Sequence, residues 1–234
     1  MFFSNLKTKI ENYWYHYKWH TIIIAGFAVI IAVLTAQLIQ RDSFDAEIIY
    51  SGPSNVTPNQ VSDIQSAFAS VLPGDRDGDG KKNVQLYNFY LPTADEIKEL
   101  EEKAAEDDLL YVPNNSQIAE TRTQFTNQIY VGQALICLLD PEWYDLVLEN
   151  KGFVPLDEIF EEAPEYALDE CSVRLKDTPF GKYFASTFAC LPDDTVLCFR
   201  RMSSTTALKI GRSEQERYDY NKELFKALFD FSIG

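Results

Sequence analysis

Histidine is nearly absent from this chain of 234 residues. The only two, His16 and His20, lie within the first 20 residues. The rest of the chain therefore lacks the base that Ser–His and Cys–His nucleophile systems need, and it also lacks the imidazole ligand of many zinc sites. Hydrolase mechanisms of that kind and histidine-containing zinc sites are excluded from it.

Cysteine is also scarce, and no CxxC motif occurs, which argues against a zinc ribbon or a thioredoxin-type redox site. The four cysteines are Cys137, Cys171, Cys190 and Cys198. They allow three pairings, among which the sequence does not choose. Cys171 and Cys190 lie nearest to predicted loops and are the pair we expect if a disulfide forms. Free, buried thiols are an equally good interpretation.

Basic side chains are outnumbered, with 21 Lys and Arg against 36 Asp and Glu and a net charge of −15. Binding of nucleic acid requires a basic surface, so no nucleic-acid partner is expected. The imbalance is uneven along the chain. The first 20 residues hold three lysines and one glutamate, whereas the chain from Asp45 onward holds 17 basic and 34 acidic residues. The basic N-terminal segment and the acidic remainder of the chain therefore need separate explanations.

No charged residue occurs between Lys18 and Arg41. About 20 apolar residues in a helix cross the hydrocarbon layer of a bilayer, and aromatic residues such as Trp14 and Trp19 favour its interface. Lysines on the short N-terminal side predict that this side is cytoplasmic. We therefore predict a cytoplasmic segment at 1–20, a single transmembrane helix at 21–39, a linker at 40–45 and an extracytoplasmic domain at 46–234.

A cleaved signal peptide is the alternative to this anchor. Its apolar run is usually shorter, about 7–15 residues, and it ends at a small-x-small cleavage site. Here the run ends in TAQLIQRD, which lacks such a site. The first cysteine is Cys137, so no lipid-modified cleavage site follows the run either. The sequence thus favours an uncleaved, single-pass anchor.

Strand and helix patterns alternate along the outer region. Short β-rich runs predict strands at 46–52, 83–91, 133–140, 171–176 and 193–202. Helical periodicity and capping signals predict helices between them, including 57–72, 93–108, 141–152 and 213–231. Thr93 and Glu96 form the spacing of a capping box. Such alternation predicts an α/β fold with a mainly parallel sheet flanked by helices.

Two stretches carry a resemblance to a known family. The first is QALICLLDPEWYDLVLENKGFVPLDEIF, with Leu138-Leu139-Asp140, Gly152 and Pro155-Leu156-Asp157. The second runs from AEIIYSG through DRDGDGKKNVQLYNFY. Together they cover about half of the outer domain, and they resemble bacterial extracytoplasmic solute-binding proteins. The resemblance implies a type II periplasmic-binding-like fold, reduced in size because 46–234 is short for two lobes of typical domain size.

The same resemblance implies a ligand cleft at the carboxyl ends of the strands. Its candidate lining residues are Tyr50, Ser51, Gly52 and Asp140, although ordinary turn and capping roles explain them equally well. It further implies a non-enzymatic protein in the plasma membrane of a bacterium that binds a small solute or another envelope protein. The alternative is a structural or assembly protein of the cell envelope acting through protein–protein contacts. An enzyme such as a glycosidase needs two facing carboxylates, and no spacing singles out a pair.

The run DRDGDGKK offers a separate candidate, a Ca²⁺ site. Asp75, Asp77 and Asp79 match positions 1, 3 and 5 of a calcium loop, and Gly80 matches the glycine at position 6. The backbone carbonyl of Lys81 and the side chain of Asn83 would extend the ligand set. Position 12 falls on Leu86 rather than on a bidentate glutamate, so the run is not an EF-hand. An Asp-Gly-rich surface turn is the alternative.

Overall fold

The computed structural model describes residues 2–39, 44–105, 112–202 and 212–232. The chain divides into two compact units, Met1–Ser43 and Phe44–Gly234.

The first unit consists of one long helix, α1 (Phe2–Ile39). Its segment Tyr13–Thr35 spans 23 residues with a mean hydropathy of 1.8, and none of it is buried. By length and composition this segment can cross a membrane, either as an anchor or as a signal sequence near the N-terminus. The predicted transmembrane segment 21–39 lies within α1, and positions 40–43 of the predicted linker lie outside the described residues.

The second unit is built on one five-stranded sheet. Its strands are β1 (Ala46–Gly52), β2 (Val84–Tyr90), β3 (Ile136–Leu139), β4 (Ser172–Arg174) and β5 (Val196–Phe199). Their order across the sheet is β2-β1-β3-β5-β4. β1 pairs in parallel with β2 and β3, whereas β5 runs antiparallel to both β3 and β4.

The sheet is therefore mixed, and the prediction of a mainly parallel sheet is wrong. β5 follows β4 and lies between β4 and β3, so the chain returns beside its own preceding strand. Parallel neighbours require a crossover, usually through a helix packed on one face of the sheet. The link from β4 to β5 contains only short helical turns, and it delivers β5 in the opposite direction.

Helices cover both faces of the sheet, as an α/β fold requires. Their bounds are α2 (Pro58–Ser70), α3 (Ala94–Ala104), α4 (Asn115–Val131), α5 (Pro141–Glu149), α6 (Pro179–Tyr183) and α7 (Arg212–Phe229). Short 3₁₀ turns lie at Leu156–Glu158, Leu175–Asp177 and Phe188–Cys190. Phe68 of α2 and Leu224 of α7 belong to the core on one face, and Phe125 of α4 and Trp143 of α5 belong to the core on the other.

Local sequence signals account for most helix starts. Thr57 and Thr93 cap α2 and α3, each in a complete capping box, and Pro58 occupies the first position of α2. The predicted helix at 93–108 ends earlier, at Ala104, and its positions 106–108 lie outside the described residues. The strand β1, between β2 and β3, is buried on both faces, with Ile48 and Ile49 fully inaccessible, which explains why successive residues Ile48, Ile49 and Tyr50 are apolar.

The four cysteines are free thiols. Cys171 belongs to the core on the α4–α5 face, whereas Cys190 packs against the core on the α2–α7 face. The sheet thus separates the two cysteines that the sequence singles out as a pair. Cys137 and Cys198 instead lie directly opposite one another on β3 and β5.

Candidate functional site

The carboxyl ends of the three parallel strands form the edge at which the sequence predicts a cleft. β1 ends at Gly52, β2 at Tyr90 and β3 at Leu139. The backbone N–H of Asp140 donates to the carbonyl of Ser51 at 2.8 Å, and that of Leu91 donates to the carbonyl of Gly52 at 2.9 Å. Ser51, Gly52 and Asp140 are therefore brought together through the backbone.

Asp140 caps the N-terminus of α5. Its Oδ1 accepts a hydrogen bond from the backbone N–H of Glu142 at 2.9 Å. The side chain is half-buried, and burial raises the pKa of its carboxyl. The neighbouring carboxylates of Glu96, Asp194 and Glu142 raise this pKa further, whereas the capping hydrogen bond lowers it. Asp140 is thus a carboxylate held partly out of water among other acids.

Ser51 is the most unusual polar residue at this edge. It is completely buried on β1, an interior strand of the sheet. Its Oγ has no hydrogen-bond partner in the described part of the protein. Leaving a buried hydroxyl unpaired costs about 1–3 kcal/mol, so such groups are rare and call for an explanation.

Tyr50 and Gly52 have packing roles at the same edge. The Tyr50 ring is fully buried in the core on the α2–α7 face, and burial raises its pKa to about 12. Its hydroxyl accepts a hydrogen bond from the backbone N–H of Ser54 at 3.1 Å. A Cβ at Gly52 would lie 2.8 Å from the Tyr50 hydroxyl oxygen, so only glycine allows this close approach. Tyr50 therefore packs beneath the end of β1, in the core on the α2–α7 face.

The opposite edge of the sheet carries an acidic cluster of Asp45, Asp75 and Asp77. One carboxylate oxygen from each lies within 4.8 Å of the others. Oxygens bound to one calcium ion at about 2.3–2.6 Å can be at most ~5 Å apart, so these three fit around a single ion. The cluster can hold a metal ion on this geometry, although exposed acidic groups also cluster without one.

The loop around this cluster is ordered by its own aspartates. The carboxylate of Asp75 accepts hydrogen bonds from the backbone N–H groups of Gly78 and Gly80, both at 2.7 Å. Gly78 and Gly80 have φ of 78° and 81°, which favours glycine at both positions. Asp79 Oδ1 accepts from the backbone N–H of Lys81 at 2.8 Å. Of the predicted metal residues, Asp75 and Asp77 lie in the cluster, and Asp79, Lys81 and Asn83 lie beside it.

Asp45 is the member of this cluster that the sequence does not single out. It is fully buried, and its carboxylate accepts from the backbone N–H groups of Arg76 at 2.6 Å and Asn83 at 2.9 Å. The only available signal is its position directly before β1, because parallel pairing of β1 with β2 places it beside Asn83.

A cation of the protein also lies close to this cluster. The Arg76 guanidinium donates from Nε to the carbonyl of Asp45 at 2.8 Å and from Nη2 to the carbonyl of Phe44 at 2.6 Å. These contacts fasten the loop to the beginning of β1. Arg76 therefore offsets part of the negative charge that a metal ion would otherwise balance.

Comparison of the chain with protein-family models, curated proteins and solved structures found no match.

Proposed function

We propose that this protein is a membrane-anchored, extracytoplasmic binding domain of the solute-binding type, without enzymatic activity, in which calcium completes the Asp45–Asp75–Asp77 cluster. The protein resides in the plasma membrane of a bacterium, with its N-terminus in the cytoplasm and the acidic unit outside. The long apolar helix with aromatic residues at its start supports the anchor. The lysines that precede it support the orientation.

The observation that carries the binding role is the unpaired hydroxyl of Ser51 at the carboxyl edge of the sheet. Open α/β sheets bind ligands at the carboxyl ends of their parallel strands. Here that edge combines a buried hydroxyl without a partner and a half-buried carboxylate, Asp140, whose pKa is raised. Because Ser51 is completely buried, a solute has to displace the side chains that cover it. It would then supply the hydrogen bond that Ser51 lacks and would shield the charge of Asp140.

The test is a thermal-shift screen of the full chain in non-ionic detergent against amino acids, polyamines and sugars, followed by calorimetry. We expect Ser51→Ala to raise the free energy of unfolding by about 1 kcal/mol, because it removes an unpaired buried hydroxyl, and to weaken binding of any solute found. Asp140→Asn should weaken binding while keeping the helix cap. Ser66→Ala is the control, because that exposed hydroxyl bonds only within α2.

A solute that binds Ser51→Ala and Asp140→Asn as tightly as the original protein would contradict a cleft at this edge. A screen without any binding solute would favour the second candidate, an envelope assembly protein. The observation behind that candidate is α3, which has no buried residue and is rich in glutamate. An exposed acidic helix of this kind suits contact with a basic partner surface.

A further inference from the structure

A cavity of about 350 Å³ lies at the amino edge of the sheet, away from the strand ends that form the predicted cleft. It lies beside the last residue of β5, which pairs with Ile136, the first residue of β3. Its volume is at the lower end of the range for small-molecule sites. The residues that line it include three apolar or aromatic side chains and three cations: Ile129, Tyr130, Met202, Lys151, Arg200 and Arg201.

The lining of this cavity has a charge opposite to that of the whole chain. Lys151, Arg200 and Arg201 contribute three cations, and none of the described residues that line the cavity is acidic. In a chain with a net charge of −15, three cations around one small cavity are a local exception. Exposed charges farther away than about 8 Å are largely screened at physiological ionic strength, so the local cations dominate inside the cavity.

Arg200 forms the buried wall of the cavity and is only 3% exposed. Its guanidinium donates to the carbonyls of Ala134 at 2.8 Å, Ile129 at 2.6 Å and Gly132 at 2.7 Å. These bonds cap the end of α4, and within the described residues they involve no carboxylate. A guanidinium has five N–H donors, so two remain after these bonds. A buried positive charge without an anionic partner is costly and is rarely kept.

Lys151 is held at the cavity by an unusual backbone conformation. Its φ is 54°, and among the described residues it alone adopts positive φ without being glycine. The N–H of Lys151 donates to Leu148 and that of Gly152 donates to Val147, which is the Schellman pattern that ends α5. Glycine normally occupies the left-handed position of this motif. A lysine there sacrifices stability, and its amine has no partner in the described part of the chain.

The backbone around Lys151 is fastened directly to the strand that carries the two arginines. The N–H of Arg201 donates to the carbonyl of Gly152 at 2.7 Å, and the N–H of Val154 donates to the carbonyl of Phe199 at 2.9 Å. Arg201 is itself only loosely engaged, through a contact of 3.3 Å with Glu158 between two half-exposed side chains. The fold therefore holds the three cations together, and each of them keeps N–H donors for another group.

We propose that this cavity is a binding site for the phosphate group of a small phosphorylated molecule, with Lys151, Arg200 and Arg201 as its cationic ligands. A phosphate dianion suits a cavity lined by three cations, and guanidinium groups bind its oxygens with directional hydrogen bonds. A free phosphate ion would fill only part of the volume. The side chains of Ile129, Tyr130 and Met202 leave apolar surface for the organic part of the ligand. The phosphate comes from a free solute or from a lipid headgroup.

The experiment is calorimetric titration of glycerol 3-phosphate into the full chain in nanodiscs, with and without phosphatidylglycerol. Saturable binding is expected, and Lys151→Gln and Arg201→Gln should each weaken it by about tenfold, because a hydrogen bond to a charged group is lost. Lys98→Gln removes the same charge from the exposed face of α3 and should leave binding unchanged. Weaker binding of glycerol 3-phosphate in phosphatidylglycerol nanodiscs would indicate that the lipid headgroup competes for the cavity. Equal binding in both nanodiscs would indicate that the phosphate comes from a free solute. Either result supports the site.

Lys151→Gly separates binding from folding. Glycine relieves the left-handed strain, so this variant should melt at a higher temperature than the original protein and yet bind glycerol 3-phosphate about tenfold more weakly. If Lys151 had only a structural role, its replacement would not raise the melting temperature and weaken binding at the same time. The proposal is overturned if the full chain shows no saturable binding in either nanodisc, or if Lys151→Gln and Lys151→Gly bind as tightly as the original protein. The Ser51 and Asp140 variants lie at the other edge, so the two proposals fail independently.

Discussion

Two effects act in opposite directions on the pKa of the Asp140 carboxyl. As the cap of α5 it accepts a hydrogen bond, which favours the ionised form, but its burial favours the protonated form. Burial is the larger effect, and the nearby Glu96, Asp194 and Glu142 act in the same direction, so the pKa in the folded protein lies above the ordinary 3.8. An acid kept in such surroundings costs stability at neutral pH.

This cost predicts how stability depends on pH. A raised pKa means that the folded state binds the proton more tightly, so the associated stability is present below the ordinary pKa and is lost as the pH rises through the folded one. Asp140→Asn cannot ionise and keeps the cap. The free energy of unfolding of this variant, relative to the original protein, should therefore rise as the pH increases from the ordinary pKa of 3.8 through the raised pKa of the folded protein.

Urea unfolding of the full chain in detergent can measure this difference through the fluorescence of Trp143, which is buried beside Leu91. Asp95→Asn is the control, because the Asp95 side chain is 92% exposed. If the difference stays constant or falls with rising pH, Asp140 does not carry the cost assigned to it.

Individual site residues differ in how far the sequence could predict them. Asp75 and Asp77 belong to a local motif, so their closeness follows from spacing alone. Asp45 joins them across 30 residues because β1 and β2 pair in register, and sequence spacing contains no trace of that pairing. Tyr50 is one of the predicted cleft residues, and its alternating position on β1 places its ring in the core. Local patterns identify residue types, whereas long-range register decides which of them meet.

At the level of elements, strand and helix positions follow from local patterns more readily than strand direction does. The strand predicted at 46–52 is β1, and the closing helix predicted at 213–231 is α7. The direction of β5 depends on how the chain returns after β4, through the five-residue helix α6 and two 3₁₀ turns, which are too short to carry the chain across the sheet. Alternation of strands and helices predicts parallel pairing only where the intervening helix packs across the sheet, as α2 does between β1 and β2.

The loop between α2 and β2 is the element on which calcium should act. Three carboxylates within 4.8 Å repel one another, by about 1 kcal/mol per pair at 4 Å in water, and an ion between them removes this repulsion. Millimolar calcium should therefore raise the melting temperature of the full chain, with a dissociation constant of about 10⁻⁴–10⁻³ M, the range of the weak calcium sites of extracellular modules. At ten times that constant the added stability would be about 1.4 kcal/mol.

Asp77→Asn should abolish this calcium effect and, without calcium, should leave the protein at least as stable as the original, because it removes one repelling charge. Asp95→Asn, on the exposed face of α3, should respond to calcium like the original protein. Differential scanning calorimetry after chelator treatment measures both effects. An equal shift with magnesium, or a calcium shift that persists in Asp77→Asn, would mean that the loop is only an acidic turn.

For the molecule as a whole, charge and hydropathy divide the chain into three parts. The apolar segment Tyr13–Thr35 separates a short basic segment from an acidic unit with its own two-faced core. Both the predicted cleft and the acidic cluster belong to that unit. If α1 is an anchor with its N-terminus in the cytoplasm, as proposed, these sites would face the exterior of the cell, where calcium is plentiful and solutes arrive. If α1 is a cleaved signal sequence, the same unit would be released.

The anchor predicts that protein purified from bacterial membranes keeps the intact mass of all 234 residues. Protease added to intact spheroplasts should digest the acidic unit and spare an N-terminal tag, and inverted vesicles should give the reverse pattern. Replacing Lys7, Lys9 and Lys18 with glutamine leaves Arg41 as the nearest cation flanking the apolar run. Because flanking cations favour the cytoplasm, a fraction of this variant should insert with its C-terminus inside. A mature mass that lacks the first 35 to 40 residues would instead identify a signal sequence, and the proposed anchored function would be wrong.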